Sequence, residues 1–125
     1  MDVQPLSAGF GAVVGVGPLA ALPPDAFAEV LDLAYRYAVL VFPGQHLSDD
    51  EHLAFARRFG PLERALNSRS DTRFSRLSSV RSNGDMVQPG SSVARMLESN
   101  MAWHTDSSFK PIPASFSLLR CKEAA

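Results

Sequence analysis

Ala38-Val39-Leu40-Val41-Phe42 is an unbroken apolar run, closed by Pro43-Gly44 and held between two segments of helical period. Bulky residues with no polar alternation over that length read as a strand buried on both faces. The run is therefore expected to lie at the centre of the packing. Before it, Pro23-Pro24-Asp25 opens a segment in which Phe27, Val30, Leu31 and Ala34 recur at three- and four-residue spacing, which gives a helix one apolar face. Proline suits that first turn, where its missing N–H would have no intrahelical partner. After the run, Ser48-Asp49-Asp50-Glu51 has the form of a capping box, with three acids at the positive end of a second helix. Leu53, Ala56 and Phe59 are its expected inner stripe, and Gly60-Pro61 ends it.

Outside this helix–strand–helix frame the signals are more local. Gly9 to Gly17 holds several glycines, yet the third falls one position late for a dinucleotide-binding loop and no helix follows directly. A short, glycine-broken β segment fits better. Asn83-Gly84 marks a turn. Met86 to Ser99, with Pro89-Gly90-Ser91-Ser92 inside it, shows no clear period and reads as a mobile loop. Ser115 to Cys121 alternates, Phe116 and Leu118 on one face and Ser117, Leu119 and Cys121 on the other, and is expected to be a strand that buries Cys121 as a small core residue.

The chemistry concentrates in Asn100-Met101-Ala102-Trp103-His104-Thr105-Asp106-Ser107-Ser108-Phe109. In extended backbone, residues i and i+2 leave the same face, so His104 and Asp106 could fill two adjacent positions on one metal ion. An imidazole with a carboxylate is also two thirds of the facial triad that holds non-haem Fe(II). Trp103 and Phe109 are placed to keep water out, and Asn100 to orient a ligand. The other two histidines, His46 in a turn and His52 at a polar helix start, are expected in solvent. Neither is a candidate third ligand.

Trp103-His104-Thr105-Asp106-Ser107-Ser108-Phe109, then Pro111 and Pro113, then Ser117-Leu118-Leu119, resembles the metal segment and following strand of the Fe(II)/2-oxoglutarate dioxygenases of the taurine and 2,4-dichlorophenoxyacetate type. A second block agrees in order: Val39 to Gln45, Leu47-Ser48, and Phe55 to Glu63 with its Phe59-Gly60-Pro61-Leu62-Glu63 exit. The resemblance runs from about Gly9 to the last residue, and its nearest flavour is the aryloxyacetate branch. It implies an α+β, mainly β fold: a partial double-stranded β-helix, or jelly roll, with amino-terminal helices packed outside the sheet. Residues 1–125 would be the amino-terminal portion of one dioxygenase domain, cut before the distal histidine and the arginine that pairs with 2-oxoglutarate. His104 and Asp106 would bind Fe(II), Asn100 would contact substrate or co-substrate, and no 2-oxoglutarate-binding residue would fall within this chain. The implied reaction decarboxylates 2-oxoglutarate to succinate and CO2 with oxygen and hydroxylates a small anionic substrate. For an aryloxyalkanoate such as 2,4-dichlorophenoxyacetate, hydroxylation beside the ether oxygen gives a hemiacetal that collapses to a phenol and an oxo acid. The segment 1–125 alone is expected to be inactive.

Composition narrows the alternatives. A net charge of −1 offers no basic field for nucleic acid, although Arg57 to Arg81 carries seven arginines against Glu63 and Asp71. That excess is either a solvated loop and edge strand or a lid whose Arg73, Arg76 or Arg81 draws an anionic substrate. One cysteine excludes an intramolecular disulfide and a cysteine-rich zinc cage and suits a reducing cytoplasm. The apolar Phe10 to Leu22 stretch is short and broken by glycines and Pro18, so neither a leader nor a membrane partner is expected. A homo-oligomer stays open. The competing reading is a non-catalytic globular module whose His-x-Asp pair is an incidental hydrogen-bonded feature.

Overall fold

The computed structural model describes residues 1–63, 74, 77–81 and 83–123. Its chain divides into two compact units, Met1–Pro61 and Leu62–Ala125.

In the first unit, β1 (Asp2–Pro5) and β2 (Ala12–Gly15) form an antiparallel pair, and β3 (Leu40–Val41) joins β2 in parallel to give the order β1-β2-β3. The glycine-rich stretch thus makes a strand, as expected. Strand β1 was not anticipated, because Asp2–Pro5 has little β character and is ordered by its partner, Val3 opposite Val14. The link from β1 to β2 closes through Leu6 N–H to the Gly11 carbonyl at 2.9 Å, with Gly9 and Gly11 at positive φ. A strand on each side of Gly9, with no helix at the turn, gives a hairpin and leaves no cradle for a pyrophosphate.

Helix α1 spans Pro24–Tyr37 with Pro24 in its first turn, and Val30 is 1% exposed on the inner face. It ends at Ala38, whose φ of 61° and ψ of −34° bring the Val39 N–H to the Tyr37 carbonyl at 2.7 Å. That is a γ-turn of the strained hand for a residue with a Cβ. The same carbonyl accepts the Gly11 N–H at 2.8 Å, so the end of α1 is tied to the hairpin as well as to the next strand. Ala12, Val14 and Tyr37 are buried together, with Val3, Val16, Leu33, Leu40 and Phe42 packed against them.

The apolar run after α1 departs from expectation. Only Leu40–Val41 pairs, and it pairs at the end of the sheet, with Val39 44% and Val41 43% exposed. Its apolar content reflects an edge open on one side rather than a centre buried on both.

Helix α2 (Asp49–Arg57) carries the expected capping box: the Glu51 N–H donates to Ser48 Oγ at 3.2 Å, and the Ser48 N–H donates to Glu51 Oε2 at 2.7 Å. These bonds hold the Glu51 carboxyl below its usual range, the Ser48 amide first and its hydroxyl second. Its buried face is turned from the expected Leu53, Ala56 and Phe59: Leu53 is buried, Phe55 and His52 are buried with it, and Ala56 and Phe59 are half-buried. His52, expected in solvent, is buried beside Leu53 and Phe55. The reason is angular: His52, Phe55 and Phe59 follow at three- and four-residue steps, so the histidine heads the aromatic stripe. Phe27, Phe55 and Phe59 meet edge to face, with centroids 4.8 to 6.0 Å apart. Arg58 locks this cluster from outside. Its guanidinium donates to the Leu22 carbonyl at 2.6 Å and the Pro23 carbonyl at 3.3 Å, and lies 4.1 Å from the Phe27 centroid.

The second unit contains a tight turn at Asn83-Gly84, as read from sequence, closed by Arg81 N–H to the Asp85 carbonyl at 2.8 Å under a Val80–Met86 bridge. Helix α3 (Ser92–Asn100) follows, where a mobile loop was expected. Ser91 caps it by accepting the Ala94 N–H at 3.2 Å, and Val93, Ala94 and Leu97 form its half-buried face. The 115–121 segment keeps its alternation, with Phe116 and Leu118 half-buried and Ser117 and Leu119 exposed, but forms no strand. Cys121 is exposed, not a core residue, and its thiol faces the Glu123 carbonyl at 3.3 Å. Among the described residues, no helix is long and apolar enough to cross a membrane.

Candidate functional site

Helix α3 delivers the chemistry. It ends at Asn100, four residues before His104, and the amides of Met101 and Ala102 turn back onto the Glu98 and Ser99 carbonyls. Trp103 and Phe109, expected to exclude water, are both exposed in this structure, Trp103 completely so. Asn100 is exposed at the helix end.

His104 and Asp106 converge, though not by the expected route. The backbone is not a strand here: Asp106 begins a turn that closes through Lys110 N–H to the Ser107 carbonyl at 2.9 Å. Ser107 takes a left-handed φ of 57°, which costs a residue with a Cβ about 1–2 kcal/mol. The result is that His104 Nε2 and Asp106 Oδ1 stand 3.1 Å apart, with side chains 47% and 58% exposed. An ion pair that open to water contributes little to stability. Its interest is chemical.

Each of the two groups is oriented from behind. His104 Nδ1 lies 2.8 Å from the Ala102 carbonyl, an acceptor only, so the Nδ1 proton is committed there and the neutral ring carries its lone pair on Nε2. Asp106 Oδ2 accepts the Ser117 hydroxyl at 2.7 Å, which leaves Oδ1 to face the imidazole. Two lone pairs therefore point into one gap, and a proton or a cation belongs between them. The Ala102 carbonyl, with the Asp106 charge behind it, raises the His104 pKa above its ordinary 6.5.

The gap also suits a metal. Two donors bound at right angles, each about 2.1 Å from one ion, are about 3.0 Å apart. An imidazole whose far nitrogen bonds a backbone carbonyl is the usual form of a metal-ligating histidine. The pair is incomplete, since no group of three or more His, Cys, Asp or Glu among the described residues could hold an ion. His46 is exposed in the first unit, and His52 is buried there.

Two further supports were not read from sequence. The alternation of 115–121 sets Ser117 on the face opposite Phe116 and Leu118, which is the one sequence signal that points to it. Glu63, at the exit of α2, accepts the Ser107 hydroxyl at 2.6 Å and pairs with the Lys110 ammonium. Lys110 and then Ser107 hold the Glu63 carboxyl below its ordinary value. Of the arginines considered as a lid, Arg81 is exposed beside the 83–84 turn, and Arg73 and Arg76 lie outside the described residues.

Residues 2–125 match the family model described as taurine catabolism dioxygenase TauD, TfdA family. An (S)-phenoxypropionate/alpha-ketoglutarate-dioxygenase of Sphingobium herbicidovorans is 40% identical over 113 residues, 90% of this chain and 37% of that protein. A protein of the same name from Delftia acidovorans is 34% identical over 118 residues, 91% of this chain and 39% of its own length. An alpha-ketoglutarate-dependent 2,4-dichlorophenoxyacetate dioxygenase of Cupriavidus pinatubonensis is 37% identical over 98 residues, 73% of this chain and 34% of that protein. The chain thus spans well under half the length of these relatives. Among solved structures, AAD-2 in complex with Mn(II) and N-oxalylglycine superposes with a TM-score of 0.78 at 32% identity, covering 90% of this chain and 40% of that one. With a family model matched over almost every residue and relatives of one chemical kind, the chain belongs to the TauD/TfdA dioxygenase family.

Proposed function

We propose that this chain supplies two of the three protein ligands of a non-haem Fe(II)- and 2-oxoglutarate-dependent dioxygenase, His104 through Nε2 and Asp106 through Oδ1. The observation that carries the reading is the 3.1 Å gap between two lone-pair atoms, each fixed by a second bond on its far side. Fe(II) suits that donor set, and a facial triad leaves room for the keto acid of 2-oxoglutarate and for oxygen. When bound, the metal and 2-oxoglutarate supply oxidising power drawn from the decarboxylation to succinate. The chain's own part is geometric. Ala102 holds the imidazole in its ligating tautomer, and Ser117 confines Asp106 to one coordinating oxygen.

The substrate class follows from the relatives, which act on phenoxypropionate or 2,4-dichlorophenoxyacetate. The proposed substrate is a small aryloxyalkanoate anion, with Asn100 contacting it at the end of α3. The proposed fold is the amino-terminal part of a jelly roll, to which the three-stranded sheet and outer helices described here would belong. The one exposed cysteine fits a reducing cytoplasm.

With two ligands and no co-substrate arginine assigned, residues 1–125 alone are inactive in this reading. The test is succinate release under Fe(II), 2-oxoglutarate, oxygen and an aryloxypropionate. A longer protein carrying this sequence turns over and its His104→Ala and Asp106→Ala variants do not, while the 125-residue chain releases no succinate. Turnover by the short chain, or by either variant, defeats the reading. Because the donor set is incomplete, a non-catalytic module is the second reading. Metal binding that ignores both substitutions would favour it.

A further inference from the structure

Glu63 ends the Phe59-Gly60-Pro61-Leu62-Glu63 run, and nothing in the chemistry above uses it. Yet its carboxylate reaches 44 residues along the chain to the turn that follows Asp106. Oε2 accepts the Ser107 hydroxyl at 2.6 Å and Oε1 takes the Lys110 ammonium, whose side chain is only 9% exposed. The backbone closes the same turn through the Lys110 N–H and the Ser107 carbonyl at 2.9 Å. One carboxylate therefore grips both ends of a one-turn segment.

What it grips is strained. Ser107 is one of two described non-glycine residues with positive φ, the other being Ala38, and it directly follows the carboxylate ligand. A residue with a Cβ stays in the left-handed region only where its surroundings over-determine it. If Ser107 relaxed to negative φ, the turn would unwind and the Asp106 side chain would lose its aim at His104.

We propose that Glu63 is a positioning residue for the metal site: by gripping Ser107 and Lys110 together it holds Ser107 left-handed and so keeps Asp106 Oδ1 opposite His104 Nε2. This rests on the metal reading of His104 and Asp106. Glu63 and the turn it grips belong to the same compact unit.

The experiment has two arms on the 125-residue chain. The first, without metal, follows exchange of the Lys110 amide by NMR in wild type, Glu63→Gln and Lys110→Met. Exchange at least about 10-fold faster in both variants is expected, and unchanged exchange overturns the grip itself. The second follows Co(II) binding by visible absorption, with thermal melting as the control for folding. Glu63→Gln and Lys110→Met should weaken Co(II) by about 10-fold, the lower end of what outer partners of a metal site contribute. In a Ser107→Gly background Glu63→Gln should have little further effect, because glycine adopts positive φ unaided. A loss of affinity that persists in that background, or that tracks the melting temperature alone, overturns the positioning role. Co(II) binding identical in wild type and Asp106→Ala defeats the metal reading and this role with it. The amide arm reports the grip in every case, so the two failures are distinguishable.

Discussion

The Ser117 hydroxyl donates to Asp106 Oδ2 at 2.7 Å, across eleven residues of chain, and so selects the carboxylate oxygen that faces His104. Removing it frees Asp106 to rotate and to offer both oxygens to solvent. Ser117→Ala is expected to weaken Co(II) or Mn(II) binding by about 10-fold, whereas Ser117→Thr, which keeps the hydroxyl, should bind nearly as wild type. A metal titration of the three proteins decides it.

Arg58 stabilises the first unit. It joins α2 to the Leu22-Pro23 backbone by two charge-assisted bonds and stacks on Phe27. Arg58→Ala should lose about 2–3 kcal/mol in urea denaturation. Arg58→Lys should recover less than half, because an ammonium cannot bond both carbonyls and cover the ring at once. Equal stability of the lysine variant and wild type would contradict the assignment.

Ala38 sits at a φ of 61° where glycine carries no steric penalty. Ala38→Gly should therefore stabilise the chain by about 0.5–1 kcal/mol, against the usual cost of added glycine. The sign of the change in melting temperature is the readout.

Acid should act on α2 through Glu51. Its folded pKa lies below 4.5, so the cap contributes fully above 4.5 and is lost as pH falls through the lowered value. Glu51→Gln, which keeps an acceptor for the Ser48 amide but does not titrate, should flatten that part of the dependence of melting temperature on pH. Identical curves for the two proteins below pH 4.5 would refute it.

What the sequence revealed and what it hid separate by range. The capping box, the Pro24 start of α1 and the Asn83-Gly84 turn are set by residues within four positions of one another, and all three stand in the structure as read. The His-x-Asp pair was legible for the same reason, although the backbone that aims it is a turn. Strand β1 takes its order from β2, and no residue within Asp2–Pro5 announces it. Helix α3 was hidden by Pro89-Gly90-Ser91-Ser92, whose loop chemistry masked a serine cap and the Val93–Leu97 spacing behind it. Cys121, Val39 and Val41 are exposed despite their apolar setting, because apolar pattern states which face can be covered, not whether something covers it. Glu63 and Lys110 are 47 residues apart, and no local rule could have joined them.

The Tyr37 carbonyl, which serves Gly11 and Val39 at once, has a consequence for how the first unit comes undone. Because one oxygen accepts both bonds, a rotation of the Tyr37 peptide disturbs the hairpin and the edge strand together. Hairpin, helix end and edge strand should then melt as a single cooperative block, with no populated state in which β3 has peeled away while the other two remain.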